Sequence, residues 1–192
     1  MEKVKQVKLG RTNIVCGELG MGCEGFSKVT EKEARDMIDL ALSKGMNFID
    51  LYASNPTVRE NIGKAINGRR EEIYIQGHLC TIWKDNQYKR TRDINETISS
   101  FEDLFVKLNT DYIDVGMIHY IDEEKDYQEV FDGEIIKYAL RKGINFMDTA
   151  RNKEFLEILK TRLTPQRLYH SICVAEQAKH LAEKFGGDSE KA

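Results

Sequence analysis

Proline is nearly missing from this chain: Pro56 and Pro165 are the only two in 192 residues. That excludes a proline-rich linker, a collagen-like repeat or a mucin-like stalk. Cysteine is sparse too, with Cys16, Cys23, Cys80 and Cys173 scattered and no CxxC among them. The spacing argues against a zinc ribbon or a disulfide framework and fits four separate thiols in a reducing cytosol. No charge of one sign dominates, since 29 Lys and Arg face 32 Asp and Glu for a net charge of −3. Nucleic acid and anionic membrane both require a basic face, so neither is expected as the main partner. No apolar run approaches the ~20 residues of a membrane span. The opening MEKVKQVKLG lacks the apolar stretch of a signal peptide.

What is present is an alternation of strand-like and helix-like segments. KVKQV and NIVCGEL flank KLGRTN, which reads as a β-hairpin with Gly10 and Asn13 in its turn. GELGMGCEGF is a glycine-dense strand running into a loop. Thr30 and Glu33 form a capping box at the start of a helix. Ala34, Met37, Ile38, Ala41 and Leu42 make its apolar stripe, and Gly45 stops it. NFID follows as a short buried strand. The grammar repeats in PTVRENIGKAING, EIYIQGHL, TRDINETISSFEDLFVKLNT and DYIDVGMIHY, read as helix, strand, helix and strand. Ile94, Ile98, Phe101, Leu104, Phe105 and Leu108 line one face of the second of these helices. Strands alternating with helices imply βαβ units and a parallel sheet. A doubly wound sheet and a (β/α)₈ barrel both fit, and both gather functional groups at the carboxyl ends of strands.

Asp50, His78 and His119 all fall at such ends. A carboxylate there is partly desolvated and needs a partner. It can cap or order a loop, or it can act as an acid, a base or an orienting group. An imidazole there can donate to a carbonyl oxygen or move a proton. Three polar groups at the same end of successive strands point to a site more strongly than any one does. Tyr52, Gln76 and Lys84 are nearby in sequence. Tyr52 is either a packed loop aromatic or a proton donor with its pKa lowered by a cation. GMGCEG lacks the spacing of a dinucleotide or P-loop phosphate cradle.

Residues 1 to about 140 resemble the N-terminal half of an aldo-keto reductase. The resemblance is carried by LGRTNIVCGELGMG, EARDMIDLALSKGMNFID, ENIGKAINGRREEIYI and LNTDYIDVGMIH, in that order. It implies a (β/α)₈ barrel that reduces the carbonyl of a small molecule with NAD(P)H. The family's catalytic set is an Asp, a Tyr, a Lys and a His. Asp50 matches the Asp and His119 the His. His78 stands where the Lys is expected and Asn55 where the Tyr is expected, with Tyr52 the phenol in that stretch. The resemblance also puts cofactor-holding loops after the seventh and eighth strands. A whole barrel wants ~250 residues, so the expected fold class is α/β. It is a partial TIM-barrel-like (β/α) array with an N-terminal hairpin and an α-helical tail. That expectation includes little carbonyl reduction by this chain, most of the NAD(P)H site missing, and self-association through an exposed sheet edge.

The tail begins near 149–153, dividing 1–150 from 151–192. KEFLEILKTRL and PQRLYHSICVAEQAKHLAEKFG read as two helices joined at Pro165. The last forty residues resemble the start of an HD-superfamily metal-dependent phosphohydrolase. His170 matches that family's first metal ligand. The adjacent His-Asp pair that completes the site does not occur within the sequence, so no metal is implied. ALSKGMNFID returns as ALRKGINFMD, ending at Asp148. The repeat suggests a mosaic of an aldo-keto reductase front, a second copy of its helix-strand junction and an HD-type start. The alternatives to a weakly active or inactive reductase are a non-catalytic truncated fusion product or oligomer-forming fragment and, third, a remnant of an HD metal-dependent phosphohydrolase.

Overall fold

The computed structural model describes residues 3–149 except 11, 122, 145 and 146. The two tail helices, Pro165 and His170 lie outside the described residues. A hairpin opens the chain, with β1 (Gln6–Lys8) antiparallel to β2 (Val15–Gly17). Five parallel strands follow: β3 (Met21–Gly22), β4 (Phe48–Leu51), β5 (Tyr74–Leu79), β8 (Val115–Ile118) and β9 (Met147–Thr149). They lie in the order β3-β4-β5-β8-β9. Helices α1 (Glu31–Ser43), α2 (Pro56–Ile66), α3 (Ile94–Leu108) and α5 (Glu134–Arg141) alternate with them. Each helix packs on the next, α1 on α2, α2 on α3 and α3 on α5. This is the (β/α) order of a barrel, laid down in part.

Local sequence explains the helix ends. Thr30 and Glu33 close the capping box of α1. Asn55 accepts from the amides of Thr57 and Val58 at the start of α2, where Pro56 occupies the first turn. Gly45 and Gly68 end α1 and α2 with φ of +80° each, a left-handed turn that glycine enters without strain. The stripe of α1 is narrower than expected. Ala34, Ile38 and Ala41 are buried, Leu42 is half-buried and Met37 is exposed. The buried positions are thus mostly small, and the flank carrying Met37 stays in solvent.

The two faces of the sheet differ. Ile49, Leu51, Ile75, Leu79 and Ile118 face the helices and are no more than 2% exposed. Gly77 shares that face, and a Cβ there would sit 2.9 Å from Leu104 Cδ2 of α3. On the other face, Phe48, Tyr74 and Val115 stand at the amino ends of their strands. They pack with Leu9, Ile14 and Cys16 of the hairpin, which plugs that end with an apolar cluster. Further along the same face come Asp50, Gln76, His78 and Met117. The inner face therefore runs from apolar under the hairpin to polar at the carboxyl ends.

One element was not expected. After β5 the chain leaves the sheet into a second hairpin, β6 (Thr81–Lys84) paired with β7 (Gln87–Arg90). Asp85 and Asn86 form its two-residue turn, with φ of 55° and 57°. That is the left-handed pair a tight hairpin demands, and Asp and Asn tolerate it. Cys80, fully buried with φ of 65°, makes the bend from β5 into β6. A short helical stretch, α4 (Glu124–Tyr127), continues into a wider turn over Gln128–Asp132 before α5.

Candidate active site

The register of the sheet brings Asp50, His78 and His119 together. Asp50 pairs with Gln76 across β4 and β5, and His78 pairs with Met117 across β5 and β8. Asp50 and His78 therefore lie one step apart on one face, and His119 follows β8 at the same end. Asp50 Oδ1 accepts from Gln76 Nε2 at 2.9 Å and lies 2.9 Å from His78 Nε2. His78 Nδ1 lies 3.2 Å from His119 Nδ1. The result is a row: carboxylate, imidazole, imidazole. Both histidines are buried, while the Asp50 side chain keeps about a third of its surface exposed. His119 Nε2, at the far end of the row, is buried and has no hydrogen-bond partner among the described residues.

Aromatic rings enclose that nitrogen. The Tyr52 ring stands 5.1 Å from the His119 ring and 5.4 Å from His78. Tyr88, on β7, lies 5.4 Å from His119 and 5.2 Å from Tyr52. Tyr120 lies 4.6 Å from His119 and holds a left-handed φ of 44°. Arg92 fixes this corner from behind. Its guanidinium donates to the His119 carbonyl at 3.1 Å, to the Tyr120 carbonyl, and to Asp126 Oδ2 at 3.2 Å.

The electrostatics follow from burial and neighbours. Burial alone would raise the Asp50 carboxyl. The hydrogen bond and charge of His78, with the Gln76 bond and the His119 charge, outweigh it and hold Asp50 below the usual aspartate range. Burial pushes His119 down to about 4, helped by the charges of His78, Arg92 and Arg90 and opposed by Asp50. Cys23, beside Asp50, is pushed up to about 12 by burial and by that carboxylate. It stays a thiol and is no nucleophile.

Tyr52 lacks the lowered pKa that its proton-donor reading requires and is packed among aromatic rings. Burial, and then hydrogen bonds to Tyr88 and Tyr120, raise it above the ordinary phenol value. Asn55, at the position where the resemblance expects a tyrosine, is spent on capping α2. Lys84 lies on β6 beside the hairpin turn, paired with Gln87, and takes no part in the row. Tyr88, Tyr120 and Arg92 were not picked out from sequence. The Asp85–Asn86 dipeptide between alternating segments was the one signal that could have found Tyr88.

The fold and this row define the class: a (β/α)-barrel arrangement with a carboxylate and two imidazoles in contact at the carboxyl ends of its strands. The aldo/keto reductase family model matches residues 14–133, and the chain belongs to that family. It is 26% identical over 129 residues to the aldo-keto reductase YhdN of Bacillus subtilis (strain 168), over 62% of this chain and 39% of that protein. The holo form of aldo-keto reductase AKR11C1 from Bacillus halodurans superposes with a TM-score of 0.67 at 23% identity. That match covers 80% of this chain and 54% of the other. The glycerol dehydrogenase AKR11B4 from Gluconobacter oxydans gives 0.63 at 16% identity, covering 82% and 52%. The chain thus spans about half the length, or less, of the relatives it matches. No helix among the described residues is long and apolar enough to cross a membrane.

Proposed function

We propose that residues 1–150 supply the proton-handling half of an NAD(P)H-dependent carbonyl reductase acting on a small aldehyde or ketone in the cytoplasm. The observation that carries this reading is the row Asp50–His78–His119 at the ends of β4, β5 and β8, finishing on an unpartnered buried nitrogen. An orphaned polar atom in such a place is costly unless a ligand satisfies it. A substrate oxygen is the partner the family chemistry supplies.

Each residue then has a task. His119 Nε2 meets the substrate oxygen. His78 stands where the family's lysine would and pairs with Asp50. Tyr52 walls the site, and its hydroxyl leads through Tyr88 and Tyr120 to solvent, since those two are 37% and 43% exposed. Its raised pKa makes it a weaker acid than an unperturbed phenol, which leaves His119 as the group nearest the task. The nicotinamide would supply the hydride. The described residues fit the proton side of that chemistry but hold no phosphate cradle. The glycine-rich run ends in a five-residue 3-10 turn, Glu24–Lys28, whose first residue is acidic. No step is therefore routed through the cofactor.

Among the described residues β3 and β9 stand at the two ends of the sheet, and self-association would run through such edge strands. The test is oxidation of NADPH and NADH with a panel of aldehydes and ketones, run beside Asp50→Ala and His119→Ala. Slow carbonyl-dependent oxidation that falls about 10²-fold or more in both variants, at unchanged helical content, supports the proposal. No oxidation, or oxidation indifferent to the two substitutions, defeats it.

A further inference from the structure

We infer that the row couples the charge of His78 to the tautomer of His119, so that His119 Nε2 meets a substrate oxygen as an N–H donor when His78 is charged and as a bare acceptor when it is neutral. The inference rests on the proposed reading only for what the nitrogen meets. The coupling itself follows from two contacts.

Asp50 is ionised and can only accept, so His78 Nε2 carries a proton toward it. The contact between His78 Nδ1 and His119 Nδ1, at 3.2 Å, has room for one proton, because two N–H groups cannot point at each other. When His78 is neutral its Nδ1 is a lone pair. The shared proton then belongs to His119 Nδ1, and His119 Nε2 is bare. When His78 is charged both its nitrogens donate. His119 Nδ1 must then accept, which places the proton of the neutral His119 ring on Nε2. His119 itself stays neutral because it is buried in a positive setting. His78, Arg92 and Arg90 press on it, Asp50 opposes them from β4, Tyr52, Tyr88 and Tyr120 enclose the ring, and Asp126 of α4 holds Arg92. When the row carries a charge, that charge thus sits on His78, facing Asp50.

The proton count is explicit. The charged row holds three ring protons, on His78 Nε2, His78 Nδ1 and His119 Nε2. Handing the last to a substrate oxyanion breaks that N–H and forms an O–H. The His78 Nδ1 proton then crosses to His119 Nδ1, and the row is left neutral with two. A lysine at position 78 could not do this, because an ammonium has no second face on the same conjugated ring. A carbonyl oxygen, which only accepts, matches the charged row. An alcohol hydroxyl, which can donate, matches the neutral one. His78 is in this sense a positioning residue for His119.

The test is side-chain 15N NMR of the four histidines against pH, in the chain without cofactor or substrate, with His119→Asn to assign the ring. In the unsubstituted protein the His119 proton is expected on Nε2 in every state whose His78 ring carries two N–H protons, and on Nδ1 in every state whose His78 ring carries one. Asp50→Asn, which removes the carboxylate facing His78, should reduce together the share of His78 rings with two protons and the share of His119 rings with the proton on Nε2. His78→Gln should fix His119 in one tautomer across the same range. One tautomer throughout in the unsubstituted protein overturns the inference, as does exchange that persists in His78→Gln or two rings that change independently of each other in Asp50→Asn. The first of these needs no variant to fold. Exchange without any carbonyl reduction would leave the coupling standing and defeat only the reductase reading.

Discussion

The joint at Gly45 and the joint at Gly143 are tied by the same bonds. Lys44 donates to the carbonyls of Leu40 and Ala41, and Lys142 to those of Tyr138 and Ala139. Gly45 donates to Leu42 at 2.9 Å and Gly143 to Leu140 at 3.0 Å. Met46 reaches back to Ala41 at 2.9 Å, and Ile144 to Ala139 at 3.1 Å. Both glycines are left-handed, with φ of +80° and +76°. This is the glycine-terminated helix stop, written twice by one ten-residue text. Each leads into a strand of the same parallel sheet, β4 and β9. Their surroundings differ. The first joint is clamped under the N-terminal hairpin, where Gln6 Nε2 donates to the Gly45 carbonyl at 2.8 Å and Val4 to Lys44 at 2.7 Å. A Cβ on Gly143 would meet nothing within 4 Å. Register separates them further. Asp50 lies opposite Gln76, a step from His78, whereas Asp148 lies opposite Met117. A short text can set where a helix stops and a strand begins. What the strand's carboxylate then does is set by neighbours distant in sequence.

The largest expected effect concerns the row that follows the first joint. His119 has a folded pKa near 4 against an ordinary value of 6.5. Between those values the unfolded chain binds the extra proton, so stability rises with pH through that window and is complete above it. Acidification from 6.5 to 4 should remove on the order of 3 kcal/mol. Asp50, held low, adds a further loss only below the unfolded carboxylate range. Urea titrations at several pH values should show the upper part of this slope flattened in His119→Asn. An unchanged slope would mean the site does not strain that imidazole.

Gly17→Ala comes next and probes the clamp. Its Cβ would lie 2.4 Å from the Gly45 carbonyl oxygen, a backbone atom that cannot swing aside. We expect a loss of about 2–3 kcal/mol in urea unfolding. The comparison is sharpest when Gly45→Ala and Gly143→Ala are measured together. Both incur a left-handed penalty of about 1 kcal/mol. Gly45→Ala also crowds Gln6 Nε2 at 2.9 Å and the Val4 carbonyl at 3.2 Å, so it should cost about 1 kcal/mol more. Equal losses would show that the hairpin contributes nothing to the joint. The smallest effect is Thr30→Ala, at about 1 kcal/mol for the cap of α1 by the same urea measurement. The Gly133 that begins α5 offers no side-chain cap to lose.

Much of the frame was legible because its signals are local. The capping box at Thr30, the stops at Gly45 and Gly68 and the βαβ alternation each need only a few adjacent residues. The meeting of Asp50, His78 and His119 was legible at one remove, since parallel strands in consecutive units share a carboxyl end. The β6–β7 hairpin was missed because TIWKDNQYKR is mostly polar, and its turn pair went unread. With it went Tyr88, and so the reason Tyr52 is a poor acid. That reason lies in burial first and then in phenols brought from β7 and from Tyr120 by tertiary folding. The exposure of Met37 was equally out of reach, since which flank of α1 meets α2 is a tertiary matter.

The one tryptophan of the chain stands on that hairpin. Trp83 is the cross-strand partner of Tyr88, and partners on an antiparallel pair project to the same side. Tyr88 in turn lies against His119. An indole coupled in this way is an optical gauge of the site. Its emission reads the hairpin alone, free of background from other indoles. A molecule that reaches His119 by displacing Tyr88 must register as a change in Trp83 fluorescence before any product forms.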